Sequence, residues 1–453
     1  MTLFLLSLLI FLPRILLGAG LAHFLWRDSR PAALMLKTLA GIPFGLGICS
    51  SAMLFALKAG ISPSAYAPLE AGLSLAAGAG FIISLWPRRW PQFRLEREDF
   101  PLLALMLLGL ALSAGAFLFY SFRNPHGFGD AWTIWNNLPR YLYRSDDPGL
   151  LFRPQEYVRL HPDYPALTSL SIASAWALLR SDTTRAPMAL AFLTTLASPI
   201  ALGTALLLTK EKRLAVFAAL TALMTPLLAM TVGQGADAAL ALTFLLAGVF
   251  LYLYTQNAAP GLLILAALLA GFAAWIKNEG LLFALLLTLS AAWLARRRLP
   301  WALAGLLFPL LVVVFFKANV AAQSDLARPL AETLTRLLDA SRYTLIAANY
   351  LRELWNFGGW PLSQVIILAA FAVWRGLSAQ NLRAAAPLWA LILLQQGGYF
   401  FIYVITPHDL QLHLDTSLVR LLYQTYPLTL LALFLSLNDT GRAEALPQRK
   451  KVG

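Results

Sequence analysis

The chain has 453 residues, 59% of them hydrophobic and only 13% charged, with a mean hydropathy of +0.67. A soluble domain of this length carries roughly twice that charged fraction, so composition excludes one. The formal net charge of +13 would suggest nucleic acid in a soluble chain, but in a bilayer such charges report topology first, and no nucleic-acid partner is inferred.

Apolar runs of ~17–25 residues between short polar breaks predict an all-α, polytopic membrane protein. About thirteen spans are expected, at roughly 3–25, 32–57, 66–86, 101–122, 187–208, 214–231, 237–255, 260–276, 280–295, 300–318, 361–375, 385–405 and 422–437. The first, "TLFLLSLLIFLPRILLGAGLAHFLW", has no basic stretch before it and no small-residue cleavage site, and it is too long for a signal-peptide core. It is read as a membrane helix. Arg14 and Lys37 lie within the first two spans and are expected to snorkel to lipid headgroups. Cys49 is the single cysteine, which rules out a disulfide within the chain, and it reads as a small buried hydrophobe.

The fourth span leads into a long polar loop, 123–186. In "AWTIWNNLPRYLYR", Ile134, Leu138, Tyr141 and Leu142 fall on one helical face, expected to lie along the membrane surface. Trp132 and Trp135 suit the headgroup interface. A second helix, "ALTSLSIASAWALL", is read as lying flat beside it. The basic residues then sort by loop. Arg27 and Arg30; Arg88, Arg89, Arg94 and Arg97; Lys210, Lys212 and Arg213; Arg296, Arg297 and Arg298; Arg375 and Arg383; and the tail "RAEALPQRKKVG" all fall on one face. The positive-inside rule makes that face cytoplasmic. The amino terminus is then outside, the carboxyl terminus inside, and the protein a multi-pass inner (plasma) membrane protein. The other face receives the loop 123–186, the turn near 232–237, "KNEG" at 277–280, and the loops 319–360 and 406–421. A partition made from Lys and Arg alone thus gathers nearly all the unusual polar motifs on one surface.

Asp130, between Gly129 and the amphipathic helix, is suited to cap that helix. A capping carboxylate held there could also act as a general base toward an acceptor hydroxyl beside the bilayer. "HPDYP" is a rigid turn, because each proline keeps the residue before it out of the helical region; His161, Asp163 and Tyr164 could also serve a site there. Asp237 in "GQGADAALAL" reads as an N-cap. Lys277 and Glu279, in an otherwise apolar hairpin, either reach the interface or face a cavity and each other. In "HDLQLHLDTSLVRLLYQTYP", helical spacing puts His413, Ser417, Arg420 and Gln424 on one stripe. Arg420 at the mouth of a span calls for an anion, either a headgroup phosphate or that of a lipid-linked substrate. The five histidines (His23, His126, His161, His408, His413) show no metal-ligand spacing. No metal or other cofactor is indicated, and no P-loop or dinucleotide fingerprint occurs.

An Asp just after an early span, opening the first large external loop, resembles the membrane glycosyltransferases of the GT-C superfamily. The bacterial branch related to protein O-mannosyltransferases and lipid A aminoarabinose transferase is the nearest in pattern. "GDAWTIWNNLPRYLYR … HPDYPAL", "KNEG" and "HDLQLHLDTSLVRLL" carry the resemblance, over roughly residues 101–437. Residues 1–100 read as an amino-terminal extension of about three spans, and 438–453 as a cytoplasmic tail. The resemblance implies transfer of a sugar from a polyprenyl-phosphate donor to a glycan, lipid or protein acceptor on the external face. It also implies Asp130 as base, Asp163 as a second catalytic carboxylate, and Lys277 and Arg420 as holders of the donor phosphate. His161, Tyr164, Trp132, Trp135, Asp237, Glu279, His413 and Ser417 would line the pocket. The chain departs from the pattern in having Gly129 where some members pair two acidic residues, and in lacking their large soluble carboxyl-terminal domain. A lipid-linked-saccharide flippase and an O-antigen ligase or polymerase are the competing readings. The flippase needs access from both faces, whereas the polar motifs here crowd one.

Overall fold

The computed structural model describes residues 1–85, 96–225, 228–294, 296–321 and 329–438. Arg88, Arg89, Arg94, residues 322–328 of the loop 319–360, and the tail from 439 onward lie outside the described residues. All regular structure among the described residues is helical. The helices are α1 (Thr2–Leu25), α2 (Pro31–Lys58), α3 (Pro63–Leu85), α4 (Asp99–Arg123), α5 (Asn137–Ser145), α6 (Leu167–Leu179), α7 (Arg185–Leu207), α8 (Lys212–Leu223), α9 (Leu228–Thr231) and α10 (Asp237–Asn257). They continue with α11 (Pro260–Ile276), α12 (Glu279–Leu294), α13 (Leu299–Asn319), α14 (Leu330–Leu338), α15 (Ala340–Asn356), α16 (Gln364–Arg375), α17 (Ala379–Ile405) and α18 (Leu410–Ser436).

Among the described residues, nine helices are long and apolar enough to cross a membrane: α1, α2, α3, α4, α7, α10, α13, α17 and α18. This is an all-helical membrane protein. Several of the thirteen expected spans take another form. The run 214–231 is divided between α8 and the four-residue α9. The run 361–375 contains only the 12-residue α16, bent by 82° from the helix before it. The runs 260–276 and 280–295 form shorter helices, α11 of 17 residues and α12 of 16.

Contacts between helix ends define two ends of the molecule. Lys212 pairs with Asp99 at 2.8 Å, joining the starts of α8 and α4. Lys210 donates to the Leu437 carbonyl at 2.9 Å, and Arg375 pairs with Glu211. Arg298 donates to the Ala258 carbonyl. Ion pairs and main-chain bonds of these basic side chains thus join the chain near 99, 211, 375 and 437, and separately near 258 and 298, while helices leaving this end carry the chain to Asp130, Lys277 and Lys317 at the other.

Close helix approach sets the amino-terminal packing. A Cβ on Gly45 would lie 1.9 Å from the Arg14 carbonyl oxygen, and one on Gly41 2.2 Å from that of Ile15, so α1 and α2 cross backbone to backbone. Arg14 and Lys37 do not snorkel. Arg14 is buried, its Nε pairs with Glu70, Nη1 donates to the Ser171 carbonyl at 3.1 Å, and Nη2 donates to Ser174 Oγ at 2.8 Å. Lys37 is buried too, donating to the Asp28 carbonyl and lying 4.9 Å from the Trp26 ring centre. A paired, hydrogen-bonded cation can stay inside the protein, which removes the need to reach a headgroup.

The loop 123–186 is also more internal than its amphipathic pattern implies. Ile134, Leu138 and Leu142 are buried, and α5 packs on α6. Nearly all of α6 is buried among α2, α3 and α5 rather than lying flat on the membrane. The apolar face was real, but protein covers it. Within the loop 319–360, by contrast, α14 exposes Leu330, Leu334 and Leu338, and α15 exposes Leu345, Leu351 and Leu354.

Candidate functional site

At the end opposite the basic loops, five charged side chains form one chain of contacts. Asp130 follows a turn and opens a π-helical turn, Ala131–Trp135, but its carboxylate makes no cap bond. It accepts instead from Arg420 Nη2 at 2.5 Å. Arg420 Nε donates to Asp237 Oδ2 at 2.9 Å, and Lys277 Nζ donates to Asp237 Oδ1 at 3.0 Å. Lys277 also meets Glu279 Oε1 at 2.8 Å. Signs alternate along the row, Asp130, Arg420, Asp237, Lys277, Glu279. Two cations thus sit among three carboxylates. Asp237 is the first residue of α10, one position past the N-cap Ala236; it is the hub of this row. At Asp130 a charged partner takes the place of the main-chain amide, and at Asp237 the cap reading fails because the cap position is Ala236.

Local sequence explains how these groups are presented. α11 is apolar throughout and ends at Lys277, whose backbone is extended. α12 starts at Glu279, and a Cβ at Gly280 would lie 2.1 Å from the Ala273 carbonyl. Only glycine lets the two helices close so tightly, and this forces Lys277 and Glu279 inward. Burial depresses the Lys277 ammonium, but Asp237 and Glu279 more than offset it and hold its pKa above the usual range. On α18, the stripe meets one target: Gln424 Nε2 donates to Asp237 Oδ1 at 2.6 Å, beside the Arg420 bond. Ser417 lies 2.6 Å from the Tyr403 hydroxyl, and His413 Nδ1 lies 3.0 Å from Thr406 Oγ1. These two line the helix toward α17 rather than joining the charged row.

The "HPDYP" turn forms the neighbouring wall. Tyr164 stacks between His161, 4.9 Å away, and Trp135, 5.6 Å away, and Lys277 lies 5.8 Å from its ring centre. Burial, then Glu279, raises the Tyr164 hydroxyl above its ordinary value. His161 takes a left-handed backbone, φ 49°. Asp163 is buried and accepts from Asn278 at 2.8 Å, while Lys317 donates to its carbonyl and to Asn278 Oδ1. Asp130 and Asp163 therefore differ in kind: the first has an accessible carboxylate, while the second is buried and fixed. Trp132 is 58% exposed, as an interfacial residue would be, but Trp135 is 1% exposed and belongs to the aromatic stack.

Asn278, Lys317, Tyr399 and Arg159 had not been singled out. Tyr399 donates to Gln424 at 2.6 Å, orienting the amide that holds Asp237. Lys317 had a usable signal, a lone cation at the end of an apolar helix. Arg159, between Val158 and Leu160, had no such signal. Burial lowers its guanidinium to about 10, against the pull of Tyr157 and Asp163. Among the described residues no cluster of three or more His, Cys, Asp or Glu gathers as a metal would need. Comparison of the chain with protein-family models, with curated proteins and with solved structures returns no match in any of the three.

Proposed function

We propose that the protein is an integral membrane glycosyltransferase acting on the extracytoplasmic face of the inner membrane, with a polyprenyl-phosphate sugar as donor. Asp130 takes the proton of an acceptor hydroxyl, and the resulting oxygen attacks the anomeric carbon. The bond from that carbon to the phosphate oxygen breaks, and the lipid phosphate departs with the electron pair, inverting the centre. The observation that supports this reading is the direct Asp130–Arg420 contact, a candidate base and a candidate phosphate holder joined at 2.5 Å. It lies at the end remote from the basic loops, which the positive-inside rule would make external.

Of the two proposed phosphate holders, Arg420 is the better placed. Its side chain is 25% exposed against 5% for Lys277, which is enclosed by Asp237 and Glu279. Lys277 acts as a positioning residue that neutralises Asp237. A phosphate reaching Arg420 next to Asp130 meets like-charge repulsion of about 4 kcal/mol at 4 Å. Binding therefore favours an exchange in which the phosphate takes Nη2 from Asp130 and frees that carboxylate for the acceptor.

The test is transfer by purified, lipid-reconstituted protein offered a panel of polyprenyl-phosphate sugars. Asp130→Asn is expected to lower transfer by about 10²–10⁴-fold while binding donor at least as tightly as wild type, because the competitor for Arg420 is weakened. Full activity in Asp130→Asn would remove Asp130 from the chemistry. Movement of lipid-linked sugar across the bilayer without turnover would replace the enzyme reading with transport.

A further inference from the structure

Residues 157–160 invert the usual rule for a surface segment. Val158 is 75% exposed and Leu160 55%, while Arg159 between them is 7% exposed. The segment is pinned in this sense by Asn137, which donates to the Val158 carbonyl at 2.6 Å, and by the Leu160 amide, which donates to the Thr133 carbonyl at 3.1 Å. The guanidinium therefore points into the protein, yet Nε, Nη1 and Nη2 are all buried without a hydrogen-bond partner. Among the described residues no other arginine leaves all three nitrogens in that state. Arg14 shows what the fold does with a buried guanidinium it keeps for structure: every nitrogen is bonded. Asp163 is close enough to attract Arg159 but gives it no hydrogen bond; a buried guanidinium with every nitrogen unbonded is costly, so Arg159 is organised for something that arrives.

The surroundings describe it. Asp163 Oδ1 is likewise buried without a partner, and its other oxygen is held by Asn278. Lys317 bonds the Asp163 carbonyl and lies within electrostatic range of Arg159. The planar fork of an arginine fits two oxygens of one phosphate or carboxylate, Lys317 adds a second positive charge, and Asp163 Oδ1 calls for a hydroxyl donor. We propose that Arg159, Lys317 and Asp163 form an oxyanion subsite, distinct from the Arg420–Asp237–Lys277 row, that takes a phosphate or carboxylate group bearing a neighbouring hydroxyl. Resting on the transferase reading, this makes the acceptor an acidic sugar and the subsite its anchor.

The subsite is tested without any sugar donor, so its outcome is independent of transfer. Binding of glucuronate and of inorganic phosphate, with glucose as neutral control, is measured calorimetrically on protein in phosphatidylcholine nanodiscs. Both anions are expected to bind saturably, at least tenfold more weakly to Arg159→Gln and Lys317→Gln, and unchanged to Arg383→Gln, an exposed arginine at the basic end. In anion-free buffer Arg159→Gln is expected to melt no lower than wild type, and glucuronate should raise the melting temperature of wild type only. Equal binding to wild type and Arg159→Gln, loss in Arg420→Gln alone, or a clearly lower melting temperature for Arg159→Gln without anion would overturn the subsite. Repeating the titration in phosphatidylglycerol discs separates sources: retained binding supports an acceptor oxyanion, and loss there assigns the subsite to a lipid headgroup and sinks the acceptor role.

Discussion

Asp237 shows how much a single carboxylate can organise. It receives Arg420, Lys277 and Gln424 from α18 and the α11–α12 turn, and sits buried at the start of α10. Removing its charge leaves two cations of a buried network competing for Asp130 and Glu279. Asp237→Asn is therefore expected to destabilise the protein by about 3 kcal/mol, read as a lower midpoint in thermal or denaturant unfolding; an unchanged midpoint would mean the outer carboxylates suffice. Much of this site was legible residue by residue. Asp130, Lys277 and Arg420 each stand out as charges at the edges of apolar runs, and helical spacing aligned Arg420 with Gln424. Their pairing was not legible, because nothing local links Asp130 to an arginine 290 positions away. Arg159 escaped notice for a related reason: its neighbours suggest an ordinary exposed cation, and only the backbone shows it turned inward.

At the scale of elements, the α11–α12 hairpin is the part that most directly shapes the charged row. Its tightness depends on Gly280, against which the Ala273 carbonyl and Ala274 amide are already within 2.1 and 2.4 Å of a notional Cβ. Gly280→Val is expected to spread the helices and withdraw Lys277 from Asp237. Donor binding and melting temperature should then fall together, whereas Gly129→Val, at a position with open space around it, should leave the melting temperature unchanged. The amphipathic segment 131–142 gives the complementary lesson. Its periodicity correctly marked an apolar face, but periodicity does not distinguish lipid from protein as the covering partner. α6, apolar on all sides, supplied that partner. The runs 214–231 and 361–375 read as full spans because hydropathy alone does not register where a helix ends or bends.

For the whole molecule, the arginine and lysine pattern divides the chain into two ends, and contacts such as Lys212–Asp99 and Lys210–Leu437 gather the described basic loops at one of them. Sidedness can be measured directly because the single native cysteine, Cys49, is buried. In a Cys49→Ser background, Gln155→Cys at the charged end is expected to react with a membrane-impermeant thiol reagent in intact cells. Gln256→Cys at the basic end should react only after lysis. The reverse pattern would turn the molecule over and move the candidate site to the cytoplasm.

The short α11 and α12 have a consequence for the lipid as well. At 17 and 16 residues they reach about 25 Å, against a hydrocarbon core of about 30 Å, while α17 and α18, each of 27 residues, extend to about 40 Å. Both short helices begin or end at the basic end, so the Lys277–Glu279 turn stops short of the far edge of a hydrocarbon core of that thickness. The protein thus carries a built-in hydrophobic mismatch on one side of its site. A thicker bilayer would set that turn deeper and a thinner one would bring it level with the headgroups, so under the proposed function acyl-chain length is expected to tune turnover of the lipid-linked donor.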